Sequence, residues 1–350
     1  MSGRLRRRAL VAAVALLAVG CRGDGDITPD QRGSPADVVA CQVTDIGGLD
    51  NPFNAVVWGG LLRARQDDGA QIYLLESHQR ADYEPNLRAM VQRECDLIVT
   101  VGFRLSDATR AAAQANPDVN FTIVDFAYTP PLDNVLGQSF ATDEAAFLAG
   151  YLAAGMTRSG AVGAFGSVNI PTVTVYMDGF ARGVEHYNER KDATVRMLGW
   201  DPEAQNGLFT SEIDDEAGAT ILAERLIEDG ADVLFPVSGP GLSEAAQVAD
   251  DVGGVHLVGA ETDACLGSRD LCHLVLTSVL ANADRSVLQA VRAVAGDDFE
   301  GGTYVGTLEN GGVGLAPYRD PGPAIPDELA GEVEELREAL LDGRVHIPGS

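Results

Sequence analysis

The sequence predicts an α/β protein of two lobes, each built on a doubly wound parallel sheet, and three observations carry that expectation. From Val38 to Asp125, short apolar runs rich in β-branched residues alternate with helical periodicity, the pattern of a parallel sheet wrapped by helices. A second alternation of the same kind runs from Glu144 to Val258. The 350 residues, 45% hydrophobic and 22% charged, suffice for two sizeable cores.

In the first run, residues 38–44 read as a buried strand, Gly47 and Gly48 free the backbone to turn, and Asn51-Pro52 signals a helix from Phe53. Strands follow at 72–76, 97–101 and 121–125, with helices at 83–93 and 106–114, and residues 134–140 lead out of the unit. The second unit opens with a helix at 144–156. Its strands are expected at 162–165, 196–198, 233–235 and 256–258, and its helices at 172–187, 216–229 and 242–250. Ligands of open α/β sheets bind beyond the carboxyl ends of the strands, so Asp45, Phe53, Asn54, Gly102-Phe103 and Asp125 fall on one rim. An acid, an aromatic face and a carboxamide suit a neutral, planar, hydrogen-bonding small molecule. The competing reading makes Asp45 and Asn54 turn caps and Phe53 a core residue.

The amino terminus has the marks of export. Arginines at 4, 6, 7 and 8 precede an apolar run at 9–19 too short to span a bilayer, and Gly20-Cys21 suits signal cleavage. Residues 1–20 are therefore expected to be a signal peptide whose end resembles a bacterial lipobox, with Cys21 lipidated and the protein held at the outer face of the cell membrane. Residues 21–36, rich in Gly, Pro and Asp, read as a flexible tether. The formal charge of −27, more negative still once the leader arginines are gone, argues against nucleic acid or anionic lipid as partners. Membrane association is expected through the lipid anchor alone.

Cys41, Cys95, Cys265 and Cys272 remain, an even number that permits two disulfides in an exported chain. Three pairings are possible. Cys41 and Cys95 lie at the starts of neighbouring strands and Cys265 and Cys272 flank a short loop, which favours those two pairs. A metal site of Cys265, Cys272 and His273 competes, but lacks a fourth ligand at zinc spacing, so no metal and no cofactor is expected. There is no Gly-x-Ser-x-Gly elbow, His-Glu-x-x-His pair or Walker loop, and the five histidines are scattered, so an enzyme is not expected. Gly239-Pro240-Gly241, between a strand and a helix, could cradle a ribose or phosphate on its amides, the acidity of the chain disfavouring phosphate.

The segment 44–50, Thr-Asp-Ile-Gly-Gly-Leu-Asp, followed by Phe53-Asn54 and Trp58, resembles the opening signature of the basic membrane protein family, the PnrA-like nucleoside-binding lipoproteins of ABC importers. The resemblance continues through 102–109, 116–119, 146–150, Ile170-Pro171, Gly179-Phe180 with Gly183, and 230–235 with Gly239 and Gly241. It implies a type I periplasmic-binding-protein-like fold in which a three-stranded hinge joins the lobes. Residues 274–279 resemble the family's return strand, which puts 285–295 on the first lobe and sends 303–308 back to the second, before a last acidic helix at 325–341. The chain would then cross between lobes near Gln138, Leu274 and Gly302. Lobe 1 is accordingly expected at 37–138 with 275–301, and lobe 2 at 139–274 with 302–350.

The resemblance also implies roles. The acid at Asp125 helps hold a purine base. Gly259-Ala260-Glu261-Thr262-Asp263 stands where the family reads Gly-Val-Asp-x-Asp, the first acid accepting from ribose hydroxyls, and Leu280-Ala281-Asn282 stands where it often has a ribose-binding lysine. Pocket shape and charge must differ accordingly. The expected ligand-binding set is Phe53 and Phe235 stacking on the ring, Asn54 and Asp125 on base edges, and Asp45, Gly239 and Glu261 on polar edges or sugar. The expectation is thus a monomeric, lipid-anchored solute-binding protein that delivers a nucleoside-like small molecule to an ABC permease. A ligand-sensing receptor of the same fold is the alternative, and an exported hydrolase a weaker one.

Overall fold

The computed structural model describes residues 38–239, 241–319 and 324–349. The signal peptide, Cys21 and the tether lie outside the described residues, as does Pro240 of the glycine loop.

β1 (Val39–Ile46) carries five consecutive buried residues, the mark of a central strand covered on both faces. α1 (Pro52–Asp68) starts where Asn51 caps its first amides and Pro52 occupies the first turn, and it stops at Gly69 in the left-handed region. Next come β2 (Gln71–Ser77), α2 (Tyr83–Gln92), β3 (Leu97–Val101), α3 (Ser106–Ala115) and β4 (Asn120–Val124). Residues 134–140 form a further strand, β5 (Val135–Phe140). The first sheet has the order β2-β1-β3-β4-β5, each neighbour parallel.

The second unit repeats this plan. α4 (Thr142–Met156) and β6 (Ala161–Gly166) precede α5 (Pro171–Lys191), β7 (Arg196–Leu198) and a small hairpin of β8 (Trp200–Asp201) and β9 (Asn206–Gly207). α6 (Glu216–Glu228), β10 (Val233–Val237), α7 (Gly241–Val252), β11 (His256–Glu261), the short α8 (Ala264–Gly267) and β12 (Val275–Ala281) follow. Their sheet order, β7-β6-β10-β11-β12, matches the first strand for strand. α4 is buried along nearly its whole length and packs on α5 at backbone distance. A Cβ on Gly150 would overlap the Phe180 carbonyl oxygen, and one on Gly183 that of Phe147, so only glycine permits this approach.

α9 (Ala283–Ala295) returns to the first lobe against α1, tied there by Arg63–Asp284 and Arg292–Asp68 ion pairs. β13 (Gly302–Gly306) then adds beside β5 as the sixth strand of the first sheet, and β14 (Val313–Leu315) pairs antiparallel with β12 as the sixth of the second. α10 (Asp327–Leu341) ends on α4. Two expected boundaries therefore shift by one strand each: 275–281 belongs to the second sheet and 302–306 to the first. The three crossings come after Phe140, after Ala281 and after Gly306, where they are laced together by Ala141 N–Gly306 O and Asn282 N–Gly312 O bonds, both 2.8 Å.

Cys41 of β1 is bonded to Cys95, just ahead of the neighbouring β3, and Cys265 to Cys272 across the loop after β11. With both sulfurs engaged, the competing metal reading loses its thiolates, and His273 bonds Asp250 and the Asp270 carbonyl instead. Among the described residues, no helix is long and apolar enough to cross a membrane.

Candidate functional site

The topological switch point of the first sheet lies between β1 and β3, and that of the second between β6 and β10. Their carboxyl ends face one cavity of about 120 Å³.

The first-lobe wall is built by side chains that hold one another. Asn51 Oδ1 accepts from the Phe53 and Asn54 amides at 2.9 and 3.3 Å. Asn54, buried in the first turn of α1, turns back on the β1–α1 loop: its Nδ2 donates to the Gly48 and Asp45 carbonyls at 2.9 and 3.3 Å, and its Oδ1 accepts from the Asp45 amide at 3.2 Å. Both N–H groups of the carboxamide are occupied, so Asn54 shapes the loop while it also lines the cavity. Asp45 is pinned too. Its carboxylate accepts from the Tyr83 hydroxyl and from the Ile46 amide at 2.7 Å, and lies 3.7 Å from the Arg104 guanidinium. Gly102, at φ +85°, lets the β3 end pass so close that a Cβ would come within 3.0 Å of Asp45 Oδ2. Phe53 and Phe103 supply the aromatic surface.

The second-lobe wall is drawn from Ile170, Thr172 and Val173 at the start of α5, Ile213 and Asp214 before α6, Val237 and Gly239 after β10, and Glu261 at the end of β11. Phe235 is not part of it. β10 lies mid-sheet between β6 and β11, and the Phe235 ring is fully buried, 4.9 Å from Phe180 and 6.4 Å from Tyr176. The expected second stacking ring is thus a core residue, and Phe103 is the cavity's other aromatic.

Asp125 and Glu261 end strands of opposite sheets and line the same cavity, both in the left-handed region at φ 63° and 66°, a conformation that carries strain for residues other than glycine. Burial pushes the Asp125 carboxyl well above the usual carboxylate range, and the negative charge of Glu261 pushes it further. Burial raises Glu261 likewise. The Tyr176 phenol behind them is raised by burial, then by Glu261 and Asp125. Four carboxylates (Asp45, Asp125, Asp214 and Glu261) and one cation, Arg104, line the space. Such a set accepts far more hydrogen bonds than it donates, which fits a flat ring carrying several N–H and O–H donors. Among the described residues no cluster of His, Cys, Asp or Glu could hold a metal ion.

The structure thus brings Asp45, Phe53, Asn54, Asp125, Gly239 and Glu261 to one cavity and leaves Phe235 outside. Phe103, expected on the rim, joins the lining, and Arg104 and Asp214 are additions to the expected set. Arg104 follows a strand-end glycine by two positions, a placement that signals a rim residue; Asp214 lies in a stretch without periodicity and carries no sequence signal.

Two lobes of equal strand order with a cavity between their strand ends define the type I periplasmic-binding fold. The solute-binding protein of an ABC transporter system from Aeropyrum pernix K1 superposes with a TM-score of 0.74 at 22% identity, covering 89% of this chain and 94% of that one. The chain belongs to the Bmp family, the PnrA-like ABC transporter substrate-binding proteins, whose profile matches residues 39–350. Basic membrane protein A of Borreliella burgdorferi is 26% identical, with 97% of this chain and 95% of the relative covered. The ABC transporter nucleoside-binding protein BmpA of Lactococcus lactis subsp. cremoris is 28% identical, with 97% and 96% covered. The family expected from residues 44–50 is the family found.

Proposed function

We propose that this protein is the lipid-anchored, extracytoplasmic binding component of an ABC importer, and that its cleft takes a purine nucleoside or a related base. One observation carries the ligand reading: Asp125 and Glu261, on opposite lobes, line one cavity whose first-lobe wall is Phe53 and Phe103. A ring held against the two phenylalanines offers its N–H edge to Asp125 and its sugar hydroxyls to Glu261, with Asp45 and Arg104 beneath and the Gly239 backbone at the sugar. Binding draws the lobes together about the three crossings and buries the ligand, which the permease then receives. The name of the Lactococcus relative supports the nucleoside class. The protein works as a monomer, residues 1–20 serving as its signal peptide, 21–36 as the tether and acylated Cys21 as the anchor. No catalytic role is assigned.

Calorimetry with adenosine, guanosine, inosine and their bases tests the ligand, alongside mass spectrometry of molecules carried through purification. Binding by at least one nucleoside is expected, and silence from all at millimolar concentration overturns the assignment. Fatty-acid labelling of the wild type and of Cys21→Ala tests the anchor: label on both would remove it.

A further inference from the structure

Among the described residues Arg104 is the single cation lining the cavity, and it makes no hydrogen bond there. Its side chain is only 11% exposed, so little solvent reaches its fork of N–H donors. Its ion-pair partner, Asp45 Oδ2, stands 3.7 Å away, beyond hydrogen-bond distance. Asp45 does not depend on it for partners, since its carboxylate already accepts from the Tyr83 hydroxyl and the Ile46 amide. A nearly dry guanidinium with donors to spare is placed for an acceptor that arrives with the ligand.

The backbone sets where that acceptor must lie. Val101 of β3 pairs with Val124 of β4, and the Gly102 amide donates to the Val124 carbonyl at 2.9 Å. Asp125 follows this pair directly, and Arg104 follows it through a single 3-10 turn (Phe103–Leu105) anchored by the fully buried Leu105. Neighbouring strands stand about 4.8 Å apart, so the two side chains come from adjacent positions on the first-lobe rim. Phe103 belongs to the same turn. A ring lying on Phe53 and Phe103 therefore has a cation and a carboxyl beside each other at its edge.

We propose that Arg104 selects the base: its guanidinium donates to O6 and N7 of a 6-oxopurine, so that the cleft takes guanosine and inosine in preference to adenosine. The inference rests on the nucleoside reading and narrows it. Guanine and hypoxanthine carry O6 and N7 side by side, a pair of acceptors that matches the guanidinium fork, and next to them an N1–H for the Asp125 carboxyl. Adenine has an amino group in place of O6, so donor would face donor at Arg104, and its N1 has no hydrogen to offer Asp125. Inside a closed cleft such a mismatch leaves polar groups unpaired, the circumstance in which discrimination is large.

The test is calorimetry on the wild type at neutral pH with guanosine, inosine, adenosine and 7-deazaguanosine, which differs from guanosine in lacking the N7 acceptor. Guanosine and inosine are expected to bind at least about ten-fold tighter than adenosine, and 7-deazaguanosine at least about five-fold weaker than guanosine. Arg104→Met, which removes the donors, should lower the guanosine-to-adenosine affinity ratio about three-fold or more and leave guanosine and 7-deazaguanosine alike. Arg104→Lys keeps a positive charge beside Asp45 without the paired fork, and should lower the same ratio in a protein whose thermal melt is close to that of the wild type. The wild-type series decides even where a variant does not fold: adenosine bound as tightly as guanosine and inosine, or 7-deazaguanosine bound as tightly as guanosine, overturns the proposal and leaves the nucleoside reading standing. Ratios unchanged in a folded Arg104→Met do the same. Absence of binding by all four overturns both.

Discussion

The two rims of the cleft differ in how completely they are held. On the first lobe, the polar side chains around the β1–α1 loop have protein partners, Asp125 at the end of β4 standing apart: Asn51 and Asn54 fix the loop, and Tyr83, Arg104 and the Ile46 amide fix Asp45. On the second, among the described residues, Glu261 accepts no hydrogen bond and the Ser238 hydroxyl has no partner, and Gly239 is exposed. The first rim is preorganised and the second is left to be completed by what binds. Residues on the first should therefore matter to folding and binding together, and those on the second to binding alone.

The sharpest contrast is between the disulfides, one in each lobe. Chain-entropy estimates give ~4 kcal/mol for the 54-residue separation of Cys41 and Cys95 and ~2 kcal/mol for the 7-residue separation of Cys265 and Cys272. Urea unfolding of Cys41→Ala/Cys95→Ala and of Cys265→Ala/Cys272→Ala should reproduce that order. Equal losses would break the comparison.

Next in size is Asn54→Ala, which strips partners from buried loop carbonyls and should cost about 1–3 kcal/mol of stability as well as affinity. Glu261→Gln should weaken ligand binding while leaving unfolding unchanged or slightly harder, since it removes a negative charge that acts on the Asp125 carboxyl. Denaturation and calorimetry on both variants decide whether the two rims divide as described.

The Asp125–Glu261 pair gives a pH signature. A carboxyl whose folded pKa is raised binds more protons folded than unfolded, so its contribution to stability is fullest at acid pH and falls as pH rises from the ordinary carboxylate range through the raised value. The unliganded protein should therefore lose stability over that interval. Asp125→Asn should flatten the slope, and an unchanged slope would show that the pair does not titrate there.

The smallest effect treats both rims alike. Raising salt from ~0.1 to ~1 M shortens the screening length from ~10 to ~3 Å, and a chain of formal charge −27 should melt a few degrees later. A lower melting point in salt would mean that exposed pairs such as Arg344–Asp342 outweigh the general repulsion.

Sequence periodicity located nearly every major helix and strand, because long amphipathic and fully apolar runs declare their own conformation. It was mute on which sheet received 275–281 and 302–306: an apolar β-branched run pairs equally well with either edge, and only tertiary contact chooses. Phe235 shows the same limit, since a strand-end aromatic has one sequence signature whether it faces a ligand or α5. Asn54 was correctly placed on the rim, but its hydrogen bonds follow from a loop conformation that the residue types leave open. Arg104 was overlooked for an electrostatic reason. The overall acidity disfavoured a phosphate and so turned attention from basic groups, yet net charge describes the surface as a whole and not one cavity.

The strand exchange at β12 and β13 bears on how the chain comes into being. The first sheet gains its edge strand, and α1 its partner α9, only after all of β6 to β12 has been made, while the second sheet waits on β14 and α10 beyond them. Neither lobe is a contiguous piece of chain, so neither can be finished while the polypeptide is still emerging from its amino terminus. Contacts of such long sequence separation make folding slow. A nascent chain of this design stays threadable for most of its synthesis, and a copy truncated at Asn282 would leave the first lobe open at its edge, where β5 would be a ready template for aggregation.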